Sequence, residues 1–269
     1  MRKSNFFILT GIAFVLAVTS CSNYNKLLKS TDNEYKYNAA MMYYKQKDYN
    51  RALQLFDMLQ SAYRGKPQGE DIAYYTAECY YKMKDYNIAS HYYKRYAVNY
   101  PFAKNVESAL FRSACCYYLE SPNMTLDQTD SYMAISEFQS FIDLYPHSAY
   151  LDSANQLIDT LRYKIVEKDF NTCMLYYKME EYQAAITSFE RFVKENPNTI
   201  HREEIINYMI HTYYKYAENS VSEKQRERYE LALEKYNTLV YMYPDSKYIP
   251  ELEPIVEKIK TELTNIKTK

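Results

Sequence analysis

Four histidines and five cysteines are the side chains of this sequence that most often act as nucleophiles, proton carriers or metal ligands. The histidines have none of the spacings of a metal site and lie at His91, His147, His201 and His211. No glycine-rich phosphate loop is present, and three glycines in the whole chain are too few for a nucleophile elbow. We therefore expect no catalytic residue, no cofactor and no bound metal.

Cys21 differs from the other cysteines because of what precedes it. Met1-Arg2-Lys3 is a short basic region, and the apolar run over residues 6–18 is shorter than the roughly 20 residues that a membrane span needs. The segment Val18-Thr19-Ser20-Cys21 has the form of a bacterial lipoprotein cleavage box. We expect residues 1–20 to be a signal peptide and Cys21 to carry palmitate and related acyl chains. An ordinary signal peptide with a free cysteine nearby is the alternative.

The remaining cysteines form no Cys-x-x-Cys pair of a metal or redox site. They lie at Cys79, Cys115, Cys116 and Cys173. A free cysteine commonly behaves as a small buried hydrophobic residue, which is the expectation for all four. A disulfide stays open as an alternative in an exported chain.

One pattern recurs five times along the chain and determines the expected fold. A pair of tyrosines begins each copy, and successive pairs are 37 residues apart three times and 59 residues apart once. In four copies an alanine and an aromatic residue follow, as in Tyr86, Ala89 and Tyr93. Self-similarity of this period is typical of stacked supersecondary units. The five pairs are Tyr43-Tyr44, Tyr80-Tyr81, Tyr117-Tyr118, Tyr176-Tyr177 and Tyr213-Tyr214.

The composition indicates that these units are helical. Only Gly65 and Gly69 lie beyond the signal, and tight β-hairpins need more glycine than that. A proline twelve residues after the repeat alanine ends the second helix in four copies. The small, aromatic and proline positions resemble the tetratricopeptide repeat family. We therefore expect an all-α, tetratricopeptide-like solenoid of about five helical hairpins.

Residues 149–178 contain no glycine, no proline and no turn cluster. We expect one long helix there, joining repeats 1–3 to repeats 4–5. The expected domains are a lipidated cysteine and tether over 21–30, N-terminal repeats over 31–148, and the long helix with the last two repeats over 149–269. A capping helix over about 254–266 would close the end, as a solenoid requires.

The formal net charge is −1, and it becomes −3 without residues 1–20, which hold two cations and no acid. Nucleic-acid binding would need a basic excess, so we expect no nucleic-acid partner. The apolar fraction of 47% in regular spacing excludes a disordered chain.

The tyrosine pairs suggest a binding surface. The first tyrosine of each pair should face its own hairpin's second helix and belong to the core. The second, rotated by about 100°, should lie on the surface that successive first helices share. Lysines that follow the pairs, such as Lys45 and Lys82, would lie at the border of this surface. In the fifth copy Asn207 stands where the other copies have an aromatic residue, and it interrupts the surface. The expected peptide-binding groove consists of Tyr37, Tyr44, Tyr74, Tyr81, Phe111 and Tyr118.

Two interpretations of these rings stay open. The rings could pack only between neighbouring hairpins, with their hydroxyls reaching water. They could instead bind an extended peptide whose alternate residues are aromatic and whose terminal carboxylate meets the lysines.

Several segments together resemble the BamD-type outer-membrane protein assembly lipoproteins. They are the signal ending at Cys21, the repeats over 33–245, the loop Asp127-Gln128-Thr129-Asp130 and the turn Tyr145-Pro146-His147-Ser148-Ala149-Tyr150. The resemblance implies a non-enzymatic adaptor of the β-barrel assembly machinery, the BAM complex, lipid-anchored at the periplasmic face of the outer membrane. Its first three repeats would bind unfolded outer-membrane protein precursors. Its last two would bind the POTRA domains of the β-barrel insertase.

A repeat lipoprotein that scaffolds other cell-envelope or nutrient-capture complexes is the alternative. The segment after the lipidated cysteine, Ser22-Asn23-Tyr24-Asn25-Lys26, has no acidic cluster, which argues against export to the cell surface. Both interpretations describe a protein that binds other proteins and reaches the membrane through its lipid anchor.

Overall fold

The computed structural model describes residues 24–267, which contain helices and no strand. Residues 24–29 are helical, and eleven longer helices follow within the described residues. The all-α prediction is therefore confirmed for this part of the chain. The longer helices are α1 (Asn33–Lys45), α2 (Tyr49–Leu59), α3 (Pro67–Lys82), α4 (Tyr86–Asn99), α5 (Val106–Glu120), α6 (Thr129–Leu144), α7 (Leu151–Lys178), α8 (Tyr182–Glu195), α9 (Arg202–Glu218), α10 (Ser222–Met242) and α11 (Tyr248–Lys267).

The tyrosine pair marks the place where the first helix of a hairpin ends. In the first hairpin the Lys47 amide donates to the Tyr44 carbonyl at 3.0 Å, and the Asp48 amide donates to the Tyr43 carbonyl at 2.9 Å. These two bonds form a Schellman motif, which needs a left-handed residue after the helix. Lys47 takes that conformation, with φ of 64°. The equivalent residues of two later hairpins are Lys84, with φ of 67°, and Glu180, with φ of 58°.

Small residues at fixed positions let the helices of a hairpin approach each other. The alanine that follows each tyrosine pair is fully buried in all five hairpins. Because alanine adds only a methyl group, the facing helix can pack directly against it. These alanines are Ala52, Ala89, Ala134, Ala185 and Ala232.

The first of two compact units comprises residues 24–123 and Asp127–Leu161. Helices α1 to α6 form three hairpins, and each helix contacts the next along the chain. Fully buried aromatic rings fill the interior, among them Phe56, Tyr93 and Phe138. The first part of α7 covers the third hairpin through Ala154, Ile158 and Leu161.

The second unit comprises Met124–Leu126 and the described chain from Arg162 onward. The rest of α7 pairs with α8, and α9 pairs with α10. Helix α11 closes this unit with Ile259, which is fully buried in the same core. It begins at Tyr248 rather than near residue 254, because Pro254 is accommodated inside the helix.

The long helix expected over residues 149–178 is α7, which runs for 28 residues without a break. The two units divide within this helix, after Leu161. The predicted division lies ahead of this helix, between residues 148 and 149. The buried residues of the first three turns of α7 belong to the core of the first unit.

The expected signal peptide, residues 1–20, and Cys21 lie outside the described residues. The expected tether over 21–30 is wrong for residues 24–29, which are helical. Leu27 is buried, and the ring of Tyr24 packs on Tyr43 with centroids 5.5 Å apart. Burial of these apolar side chains holds the segment against the first hairpin.

Candidate peptide-binding face

The six aromatic residues of the expected groove lie on the first helices of the three hairpins of the first unit. Two are on α1, two on α3 and two on α5, and the members of each couple are seven residues apart. All six are half-buried. We call Tyr37, Tyr44, Tyr74, Tyr81, Phe111 and Tyr118 the aromatic face.

The hydroxyls of this face connect each hairpin to the next. Tyr37 donates to Asp71 Oδ2 at 2.9 Å, and Tyr44 donates to Glu78 Oε2 at 3.0 Å. Both partners lie 34 residues further along, on α3. Burial raises the pKa of Tyr37, and the hydrogen bond to Asp71 raises it further, to about 12. The rings therefore stabilise the stacking of hairpins, while part of each ring stays accessible.

Glu78 is the centre of a buried polar network that the sequence analysis did not identify. It is 3% exposed. Its Oε1 accepts from the hydroxyl of Tyr93 at 2.5 Å and pairs with Arg112 Nη1 at 3.1 Å. Burial and the nearby carboxylate raise the pKa values of Tyr44 and Tyr93. Burial alone would lower the pKa of Arg112, but Glu78 and the neighbouring tyrosines raise it overall.

One signal in the sequence could have revealed Glu78. It stands three residues before the second tyrosine of its pair, a position that is uncharged in three of the other four copies. An acid at a position that faces the next hairpin has to be paired when it is buried. The residues at this position in the other copies are Met41, Cys115, Met174 and His211.

Cations border the middle of the aromatic face. The guanidinium of Arg112 lies 5.5 Å from the ring centroid of Tyr81, and the ammonium of Lys82 lies 5.8 Å from it. The side chain of Arg112 is 33% exposed. Lys45 and Lys82 are exposed beside the face. An incoming carboxylate would therefore meet positive charge here.

The rings of the third hairpin make similar contacts. Phe111 stacks on Tyr150 with centroids 4.6 Å apart and contacts Phe141 at 5.6 Å. Tyr118 packs against the core that contains Ala134. The face is thus half-buried along all three hairpins.

The expectation that the first tyrosine of each pair is a core residue is wrong for four of the five. Tyr43, Tyr80 and Tyr117 are half-buried, Tyr176 is 38% exposed, and only Tyr213 is buried, at 6%. Tyr80 illustrates the cause, because it stacks on the half-buried Tyr92 at 5.0 Å near the hairpin surface. The buried position between the two helices is taken by the small residue three positions earlier.

The family of this chain follows from a comparison with family models. The model of the YfiO family, described as outer membrane lipoprotein, matches residues 29–229. That range is about three quarters of the chain. The chain belongs to the YfiO family.

Two further comparisons of this YfiO-family chain concern individual proteins. No curated protein matches it. A solved structure, a TPR repeats protein from Bacteroides fragilis NCTC 9343, aligns with 14% identity and a TM-score of 0.41. The alignment covers 89% of this chain and 99% of that one.

The equivalent surface of the second unit of this family member is closed in the last hairpin. Phe170 stacks on His201 with centroids 3.9 Å apart and Tyr177 packs on Tyr208 at 4.8 Å, and both side chains are half-buried, as in the aromatic face. Asn207 is 7% exposed, and its Oδ1 is buried without a hydrogen-bond partner. Tyr214 is also buried and donates to Glu218. Of the four equivalent positions, two are therefore half-buried and two are buried.

The four cysteines that the structure of this YfiO-family chain describes are free thiols. Burial raises the pKa of Cys79, Cys115 and Cys116 to about 12. A thiol with such a pKa is almost wholly protonated at neutral pH and therefore a poor nucleophile. These side chains contribute to packing.

Residues 24–267 contain no cluster of three or more His, Cys, Asp or Glu side chains that could hold a metal ion. None of their helices has the length and apolar character of a membrane span.

Proposed function

We propose that this YfiO-family protein is a lipid-anchored, non-enzymatic adaptor of the outer-membrane β-barrel assembly machinery. Acyl chains on Cys21 would hold it at the periplasmic face of the outer membrane. The first unit would bind unfolded barrel precursors on the aromatic face, and the second would bind the POTRA domains of the insertase. The observation that carries the proposal is the row of half-buried rings with flanking cations on successive first helices.

The chemistry of an unfolded barrel strand suits this face. Alternate residues of such a strand point to one side and are often aromatic or aliphatic. Each ring that stacks against Tyr81 or its neighbours would contribute roughly 1 kcal/mol beyond the burial of its apolar area. A carboxylate at the end of the peptide would meet the exposed part of Arg112, beside the Tyr81 ring. Recognition therefore needs apolar contact and charge, and no bond is made or broken.

The second unit offers exposed apolar side chains to a stable partner. Ile200 is 78% exposed and Tyr241 is 89% exposed. Single exposed apolar side chains also occur in the first unit, as at Phe102, so exposure by itself does not choose between the units. We assign the second unit, rather than the first, to the insertase because the resemblance to the BamD-type lipoproteins implies it.

Photo-crosslinking in cells tests both assignments. A photoreactive phenylalanine derivative replaces Tyr81 in one variant and Tyr241 in another, and crosslinked partners are identified by mass spectrometry. We expect outer-membrane protein precursors from position 81 and a POTRA-containing insertase from position 241. Ile200 provides a second position in the same unit.

Other outcomes would contradict the proposal. Sugar-capture or wall-synthesis proteins at both positions, without an insertase, would indicate a scaffold of a different envelope complex. An activity that disappears when one polar side chain is changed would indicate an enzyme.

A further inference from the structure

The first described residue fixes which edge of the first unit lies near the anchor. The Tyr24 hydroxyl donates to the Arg51 carbonyl at 3.2 Å, and Arg51 lies 5.1 Å from the Tyr24 ring. Arg51 is in the first turn of α2, next to the turn that joins α1 to α2. Tyr24 is three positions after Cys21, and an extended chain of three residue steps spans at most about 11 Å. A lipid on Cys21 would therefore place the membrane surface near this turn.

The same edge carries a set of exposed lysines. The α1–α2 turn has the sequence Lys45-Gln46-Lys47-Asp48, and the α3–α4 turn has the sequence Lys82-Met83-Lys84-Asp85. All four lysines are exposed. Asp48 is paired with Arg51 at 3.2 Å, whereas Asp85 is exposed beside Lys84 and offsets one of the four charges. We call Lys45, Lys47, Lys82 and Lys84 the lysine edge.

The two turns lie at the same end of stacked hairpins. Tyr44, next to the first turn, packs on Tyr75 of α3 at 4.7 Å and donates to Glu78. Because each turn follows its own first helix, stacking these helices side by side brings the turns to one edge. The loop of the third hairpin, residues 121–128, has no lysine or arginine. The turns of the two hairpins nearest the anchor thus contain lysines of their own, whereas at the third loop the ammonium that contacts the Leu126 carbonyl comes from Lys168.

Backbone geometry does not explain the lysines. Lys47 and Lys84 are left-handed, a conformation that favours glycine or asparagine. The corresponding residue of the second unit is Glu180, so the fold accepts either charge there. The lysines in both turns of the first unit are therefore not required by the backbone.

We propose that the lysine edge contacts the headgroups of anionic phospholipids in the membrane that holds the acyl chains. The inference rests on the proposed lipid anchor at Cys21. Four ammonium groups on one edge are complementary to a negatively charged lipid surface, and each would strengthen binding roughly five-fold. The contact would orient the first unit so that its hairpin turns face the membrane.

Vesicle binding without the lipid tests this proposal independently of the anchor. The chain from residue 21 carries Cys21→Ala, and residues 24–267 contain all the described cores. Co-sedimentation is measured with vesicles of phosphatidylglycerol and phosphatidylcholine and with vesicles of phosphatidylcholine alone. We expect binding only to the anionic vesicles, and weaker binding as salt is raised.

Charge-neutralising variants locate the contact. Lys47→Gln with Lys84→Gln should weaken binding to anionic vesicles roughly 25-fold, the product of two five-fold losses. The control is Lys66→Gln with Lys104→Gln, two exposed lysines at turns that precede first helices. Lys66 and Lys84 are separated by α3, which is 16 residues and so about 24 Å long. The control should bind as the parent chain does.

Three results would overturn the proposal. They are equal binding by the lysine-edge and control variants, equal binding to neutral vesicles, and no binding of the parent chain to anionic vesicles. Failure of lipidation at Cys21 would be seen separately, as a native protein that lacks acyl chains. Lys47→Gly with Lys84→Gly serves as a second variant that the turns accept, so a folding defect cannot imitate a loss of charge.

Discussion

At the scale of single residues, Glu78 is a buried carboxylate of the first unit. Its carboxylate joins three hairpins through Tyr44, Tyr93 and Arg112. Removal of one partner from a buried, hydrogen-bonded ion pair leaves the other groups unsatisfied. The aromatic face depends on this network, because Tyr44 belongs to both.

We predict that Glu78→Ala destabilises the first unit by about 3 kcal/mol. Hydrogen exchange measured by mass spectrometry should show faster exchange in α3 and α5, with little change in α9 and α10. Glu137→Ala is the matched control, since Glu137 pairs with Lys94 at 2.6 Å on the surface, and it should cost less than about 1 kcal/mol. Equal effects of the two changes would show that the buried network is not stabilising.

At the scale of elements, the left-handed turn residues test the account of the hairpins. A non-glycine residue in this conformation costs about 1 kcal/mol, and glycine relieves that cost while losing some entropy in the unfolded chain. We predict that Lys47→Gly and Lys84→Gly each raise the free energy of unfolding by about 0.5 kcal/mol. The measurement is urea unfolding followed by circular dichroism.

Lys82→Gly is the control for that prediction. Lys82 is the last residue of α3 and has helical geometry, so glycine there should lower stability by up to about 1 kcal/mol. Destabilisation by glycine at all three positions would contradict the assigned turn geometry.

The sequence was sufficient to predict the helices, since the tyrosine pairs mark the ends of first helices and the alanines mark the helix contacts. It also located the six residues of the aromatic face on successive first helices. It did not predict Glu78, whose partners come from helices up to 34 residues away. The docking of Tyr24 on the first hairpin was missed for the same reason, because its partner Gln54 lies 30 residues on. Local patterns carry little information about such contacts.

At the scale of the whole molecule, the proposed anchor would determine where the protein is located without contributing to its fold. The described residues contain the cores of both units, so acyl chains on Cys21 would add membrane attachment without adding to either core. We predict that Cys21→Ala gives a folded protein that is released from membranes by high salt. Membrane fractionation, with circular dichroism of the released protein, checks this. Retention of the variant in high salt would contradict lipid anchoring.

The central claim is that the aromatic face binds peptides that end in a carboxylate and carry alternate aromatic residues. Its most direct test is the Kd of a labelled peptide that ends in aromatic-x-Phe, measured by fluorescence anisotropy. The Kd is compared between the parent chain, the Tyr81→Leu variant and the control variant Tyr35→Leu. Tyr35 is on α1 and 57% exposed, outside the face. We predict that Tyr81→Leu weakens binding about five-fold, that Tyr35→Leu has no effect, and that amidation of the peptide terminus also weakens binding. Equal affinities for both variants and for the amidated peptide would contradict the claim.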